Sequence, residues 1–167
     1  MNIIGGTGRS AILLDNANAA FDEILAALAK GRTFAANMNP GGSVGNISVA
    51  ELNNPLGSGK TLYLFAGDVS VGTANNLDVR IDNTTVVPAT APIPMQAGGP
   101  ASVALVGTGN PAANSGSLVL RTPSSTAAYN LPPWFWAAIP PNHRISVQTT
   151  GTNLSMLANL RWIELST

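Results

Sequence analysis

Residues 47–66 read ISVAELNNPLGSGKTLYLFA, two short β-favouring runs at 47–52 and 61–66 parted by a turn rich in Asn, Pro and Gly. Branched and aromatic side chains suit a pleated, half-buried surface, and alternation with period two marks strands that turn one face to a core. In the turn, Gly and Asn can supply positive φ, so the segment is expected to be the tip of a β-hairpin. The same period recurs downstream, in runs broken by Gly, Pro, Asn and Ser. About eight strands are expected, at residues 47–52, 61–66, 77–81, 85–87, 102–106, 117–121, 144–148 and 154–165. That pattern predicts a mainly β chain folded as an antiparallel β-sandwich.

The turn also comes within one residue of a phosphate-binding loop. Asn54-Pro55-Leu56-Gly57-Ser58-Gly59-Lys60-Thr61 matches GxxxxGK[ST] except that Asn54 stands where the first Gly belongs. Such a loop works because its backbone N–H groups and the start of a following helix converge on phosphates, so it must lead from a strand into a helix. Here Leu62, Tyr63, Leu64 and Phe65 continue as a strand pattern. The turn reading is preferred and no cofactor is expected.

Upstream the period changes. Phe21, Ile24, Leu25 and Leu28 fall at i, i+3, i+4 and i+7, one face of a helix predicted over residues 15–31. Asp15 or Asn16 can cap its start, while Lys30 followed by Gly31 makes a plausible end. Residues 1–40 are read as an N-terminal arm and helix, and residues 41–167 as the sandwich domain. The face of Phe21, Ile24, Leu25 and Leu28 is expected to be covered, by the sandwich or by a neighbouring subunit.

Composition narrows the class of function. Of 167 residues, 45% are apolar and only 10% charged, well below the usual quarter. Asn, Ser, Thr and Gly must therefore keep the surface wet, and neutral polar groups cost less to desolvate in an interface than Lys or Glu. Eight basic and eight acidic residues are spread singly, so no stripe can neutralise a run of phosphates, and nucleic acid is not expected as a partner. Without cysteine there is no disulfide and no thiolate ligand. The start, MNIIGGTGRSAILLDNANAAF, carries neither a membrane-spanning run nor the layout of a signal peptide, which predicts cytoplasmic synthesis without export and no membrane partner.

Three groups of residues invite a chemical reading. His143, the sole histidine, could orient a Ser nucleophile or hold a metal, but no GxSxG elbow accompanies it and a zinc site needs more ligands. Asp78, Arg80 and Asp82 alternate on one strand face, which reads most simply as a solvated, mutually neutralising ladder. Trp134, Phe135 and Trp136 lie between Pro132-Pro133 and Pro140-Pro141 in a chain with only 5% aromatic residues. Core packing, a subunit interface and stacking on a sugar ring remain open for them. The stretch 88–100, with Pro88, Pro92, Pro94 and Pro100, is expected to be an extended loop or edge that could wrap a neighbour. No catalytic residue or metal ligand emerges. The candidate interface residues are Phe21, Leu25, Leu28, Trp134, Phe135 and Trp136.

Residues 49–64, VAELNNPLGSGKTLYL, together with 139–147, IPPNHRISV, and 160–164, LRWIE, resemble the small virion proteins of tailed bacteriophages, of the head-decoration or cement and the neck or tail-fibre type. Asn142 stands where that pattern has Gly. The resemblance implies a β-sandwich of jelly-roll type and a non-enzymatic structural role in the virion. It further implies a homo-oligomer whose partners are a major capsid, neck or tail protein. A receptor- or glycan-binding fibre module is the alternative.

Overall fold

A computed structural model describes residue 22 and residues 25–84, 88–124, 129–130 and 137–166. The strands are β1 (Thr33–Met38), β2 (Val49–Asn54), β3 (Lys60–Val71), β4 (Asn75–Ile81), β5 (Pro88–Thr90), β6 (Ile93–Pro94), β7 (Leu105–Gly109), β8 (Ser117–Ser124), β9 (Tyr129–Asn130), β10 (Ala137–Ile139), β11 (His143–Thr149) and β12 (Met156–Ser166). They form two six-stranded antiparallel sheets. The first runs β10-β3-β12-β1-β6, with β9 also on β3, and the second runs β5-β7-β2-β11-β4-β8. With the β5 to β7 insertion and the two-residue β9 set aside, the chain changes sheet at every step except from β4 to β8. That is the connectivity of a jelly roll, as expected.

The connectivity corrects one local reading. Residues 55–59 do form a turn between two strands, with Gly57 and Gly59 at φ of 81° and 64°, and no helix begins at Lys60. Yet β2 and β3 lie in different sheets, so the turn is an arch over the end of the sandwich and not a hairpin. The same holds for residues 150–155, which carry β11 into β12 across the layers. Turn chemistry meets the same backbone demand in both cases and is blind to which strand is paired.

β1 belongs to the sandwich although it lies within the span read as an arm. Thr33–Met38 pairs with β12 along its length and with β6 on the other side. Phe34 meets Trp162 across that ladder, ring centroids 6.1 Å apart and planes at 28°. Both side chains are fully buried, with Met38, Leu52, Leu62, Leu77, Ile145 and Leu160 around them. Two further expectations move. Residues 88–94 supply β5 and β6, edge strands of this chain's own two sheets, instead of a free wrapping loop. Of the strand expected at 102–106, only the end becomes β7, because Ser102 and the Val103 N–H turn aside to the buried Glu164 carboxylate. The strand expected at 85–87 lies outside the described residues.

Of the helix expected over residues 15–31, residue 22 and residues 25–31 are described. The backbone is helical at Asp22 and over 25–29 and ends where Lys30 and Gly31 predict. Gly31 sits at φ 66°, its N–H bonding Leu28 O and that of Arg32 bonding Ala27 O, the paired closure of a Schellman cap. Of the two covers the sequence allowed for this face, the sandwich and a neighbouring subunit, the sandwich does not cover Leu25 and Leu28. Ala27 is buried at 3% exposure, while Leu25 and Leu28 are 47% and 36% exposed. Leu25→Ala is therefore expected to change the stability of the single chain by less than about 1 kcal/mol, instead of the 2–5 kcal/mol of a filled core site. Calorimetry of the dilute chain checks this.

Candidate functional site

The second sheet has a polar outer face that the chain itself covers. Residues 110–116 leave β7 at one side and cross over β2, β11 and β4 to reach β8 at the other. The fully buried Gln148 binds this crossing strap from β11, its amide donating to Ser115 O at 2.9 Å and its oxygen accepting from Asn114 and the Ser115 N–H. Arg80 donates to Gly116 O at 2.9 Å. Gly116 has no alternative, since a Cβ there would lie 2.5 Å from Ile81 O at φ 84°.

The acidic ladder read from the sequence holds only in part, for Asp78 and Arg80 do pair but Asp78 is buried and Asp82 goes elsewhere. Asp78 is fully buried and holds two guanidinium groups, Arg80 at 2.7 Å and Arg121 of β8 at 2.6 Å. Hydrogen bonding from Arg121 foremost, with Arg80 adding to it, keeps the Asp78 carboxyl below its usual range against the opposing pull of burial. Arg121 carried no signal in the sequence, because only pairing of β4 with β8 sets it opposite Asp78. Asp82 leaves the strand altogether. It turns at φ 53° and meets His143 Nδ1 at 3.0 Å.

Lys60 likewise has structural employment. Its ammonium meets Glu164 Oε2 at 2.9 Å, and Glu164, fully buried, also accepts from Ser102, the Val103 N–H and Trp162 Nε1. The lysine of the phosphate-loop-like turn thus neutralises a buried carboxylate that pins residues 102–103.

Two surface features can take a partner. The first is a cleft of about 230 Å³ at the end of the sandwich, with Ile81, Ala137, Ala138, Ile139, Pro140 and Ile145 as its aliphatic walls. Asp82, His143 and Arg144 also line it. Asn142, beside it, takes φ 68°, a left-handed conformation that Asn tolerates in place of the Gly of the resembled pattern. The lining among the described residues offers a carboxylate, an imidazole and a guanidinium but no hydroxyl or amine nucleophile. Such a cleft can seat one apolar group and hold a polar one at its rim. Among the described residues no group of three or more His, Asp or Glu stands ready to hold a metal, and no helix is long and apolar enough to cross a membrane.

The second feature is the uncovered helix face. Leu25 and Leu28 are exposed, and in the segment packed against the helix end Ile93 and Met95 are 59% and 46% exposed. The two segments abut, for Gly31 stands against Gln96 and Pro100, and the Met95 N–H bonds Thr33 O. Of the six candidate interface residues, Leu25 and Leu28 are thus placed at the surface, while Phe21, Trp134, Phe135 and Trp136 lie outside the described residues. Ile93 and Met95 were missed, hidden in a proline-broken run whose side-chain directions depend on β6 pairing with β1.

Comparison with protein-family models, with curated proteins and with solved structures finds no match for this chain.

Proposed function

We propose that this protein is a non-enzymatic assembly component of a tailed-bacteriophage virion, most simply a capsid-decorating or cementing subunit that contacts its own copies and a capsid protein. The observation that carries the reading is the helix turned with its leucines outward. An amphipathic helix on a self-sufficient domain hides its large apolar side chains and shows its small or polar ones, and over residues 25–29 this one shows Leu25 and Leu28 and buries Ala27. Low charge and a neutral polar surface support the same role, as does the sequence resemblance.

A glycan- or receptor-binding fibre module is the second reading, supported by the end cleft with its aliphatic walls and charged rim. Particles released from cells that carry the gene decide between these and an unrelated role. Purified by density gradient, they are expected to contain this chain in stoichiometric amount, and a reconstruction is expected to show it bound through the helix side. A chain left wholly in the soluble fraction overturns the virion role.

A further inference from the structure

The outer face of the first sheet carries a row of polar side chains whose hydrogen-bonding capacity the fold does not use up. Asn37 of β1, Asn159 of β12 and Asp68 of β3 stand in register across three neighbouring strands. Asn37 Nδ2 donates to Asn159 Oδ1 at 2.8 Å, and Asn159 Nδ2 donates to Asp68 Oδ1 at 2.7 Å. From the next row Arg161 meets Asp68 Oδ2 at 3.5 Å. Asn37 and Arg161 are exposed, Asn159 and Asp68 half-buried. A carboxamide has two N–H groups and an oxygen with two lone pairs. Asn37 therefore keeps one N–H and its oxygen, and Asn159 keeps one N–H, without a partner among the described residues. Beside the row β3 bulges, for its register with β12 steps from Leu64↔Trp162 to Ala66↔Arg161 and skips Phe65. Leu64 is buried in the core and Gly67 pairs with the core residue Leu160, which leaves Phe65 and Ala66 together on the outer face, both half-buried.

We propose that this face binds an uncharged oligosaccharide, whose hydroxyls take the open groups of Asn37, Asn159 and Arg161 while a sugar ring packs its C–H face on Phe65. The inference rests on the fibre reading above and deepens it, placing the ligand on the open sheet instead of in the end cleft. Chemistry selects this class of partner. A sugar hydroxyl donates and accepts at once, and neighbouring hydroxyls match a carboxamide, which offers a donor and an acceptor side by side. Asp68 and Arg161 cancel, so the row has no net charge to draw an anionic polymer. A protein interface centres on apolar anchors, and Asn37, Asn159 and Asp68 provide none. An aromatic ring beside planar polar groups supplies the apolar surface that the C–H face of a sugar needs. Three strands set the row at about 10 Å, longer than one sugar ring, so a short oligosaccharide fits it better than a single sugar.

An array of short neutral oligosaccharides, bacterial O-chain fragments among them, probed with the full chain and followed by calorimetric titration with each sugar that binds, tests this directly. Binding is expected, with an affinity that does not change between low and high salt, because neither side bears net charge. Asn159→Ala and Asn37→Ala should each weaken it about tenfold, the effect of withdrawing one hydrogen-bonding group from a bound ligand. Neither should lower the melting temperature appreciably, since both side chains reach the surface. A chain that binds no sugar on the array overturns the proposal, and so does an affinity that falls with salt, which would mean an anionic ligand. Loss of binding in His143→Ala with Asn159→Ala unaffected would put the sugar in the end cleft, overturning the proposal and sparing the fibre reading. A sugar bound through Asn159 by a chain that purified particles lack sinks the fibre reading alone.

Discussion

Trp162→Ala is expected to cost about 3–5 kcal/mol of folding stability, the range for truncating a fully buried aromatic ring. Trp162 has no exposed surface and meets Phe34 at 6.1 Å, on two central strands of the first sheet where the core is thickest. Alanine removes the ring, leaves a cavity that neighbouring strands can fill only in part, and withdraws the indole N–H from Glu164, 3.4 Å away. For a chain of this length each kcal/mol shifts the melting temperature by about 2–4 °C, so a drop of about 10 °C is expected. Trp162→Phe keeps most of the apolar surface and should lose less than half as much. Thermal unfolding followed by circular dichroism measures both. A change under about 1 kcal/mol in the alanine variant would mean that the two sheets do not close on this ring.

Asp78→Ala should cost about 3 kcal/mol at neutral pH, because it strips a buried partner from two guanidinium groups at once. Arg80, side chain 17% exposed, is left with Gly116 O as its remaining partner, whereas Arg121, 51% exposed, can turn to water. The effect should also depend on pH. With its carboxyl held below the usual range in the folded chain, Asp78 contributes fully above about pH 4, and the contribution is lost as pH falls through the folded value. The gap in urea midpoint between wild type and variant is therefore expected to be wide at pH 7 and to narrow in acid. A gap of the same size at pH 3 would assign the loss to packing and not to the carboxylate. Asp78→Asn separates the two further, since it keeps the shape and removes the charge.

Much of the strand pattern was legible locally. Residues 61–66, 77–81, 144–148 and 154–165 fall within or close to β3, β4, β11 and β12, because alternation with period two is written in each segment by itself. β1 was not found. TFAANM is short, has two small alanines at its centre and follows a helical pattern, so its apolar alternation shows only once Phe34, Ala36 and Met38 are seen to face the core. The end of the helix was legible from Lys30-Gly31 because capping is a local backbone matter.

The candidate site was legible in part. Leu25 and Leu28 were named as one apolar face from their spacing, and that face was expected to be covered by the sandwich or by a neighbouring subunit. Spacing defines a stripe but carries no information on which side of the helix meets the sheet. Ile93 and Met95 come near the helix end only because β6 pairs with β1 and the Met95 N–H bonds Thr33 O. The Asp82–His143 contact joins residues 61 positions apart and exists because β4 and β11 are neighbours in the second sheet.

From the sequence alone follow the β class, the turn at residues 55–59, the helix end and the charge-poor surface, since each depends on groups within a few residues or on composition. Tertiary structure alone decided that the turn is an arch between layers, that Asp78 is buried and shared by two arginines, that Lys60 serves Glu164, and that the leucines face outward. Those outcomes depend on which strands lie side by side. Strand order is set by how the whole set of apolar faces closes into one core, a sum over distant contacts that no short stretch of chain contains.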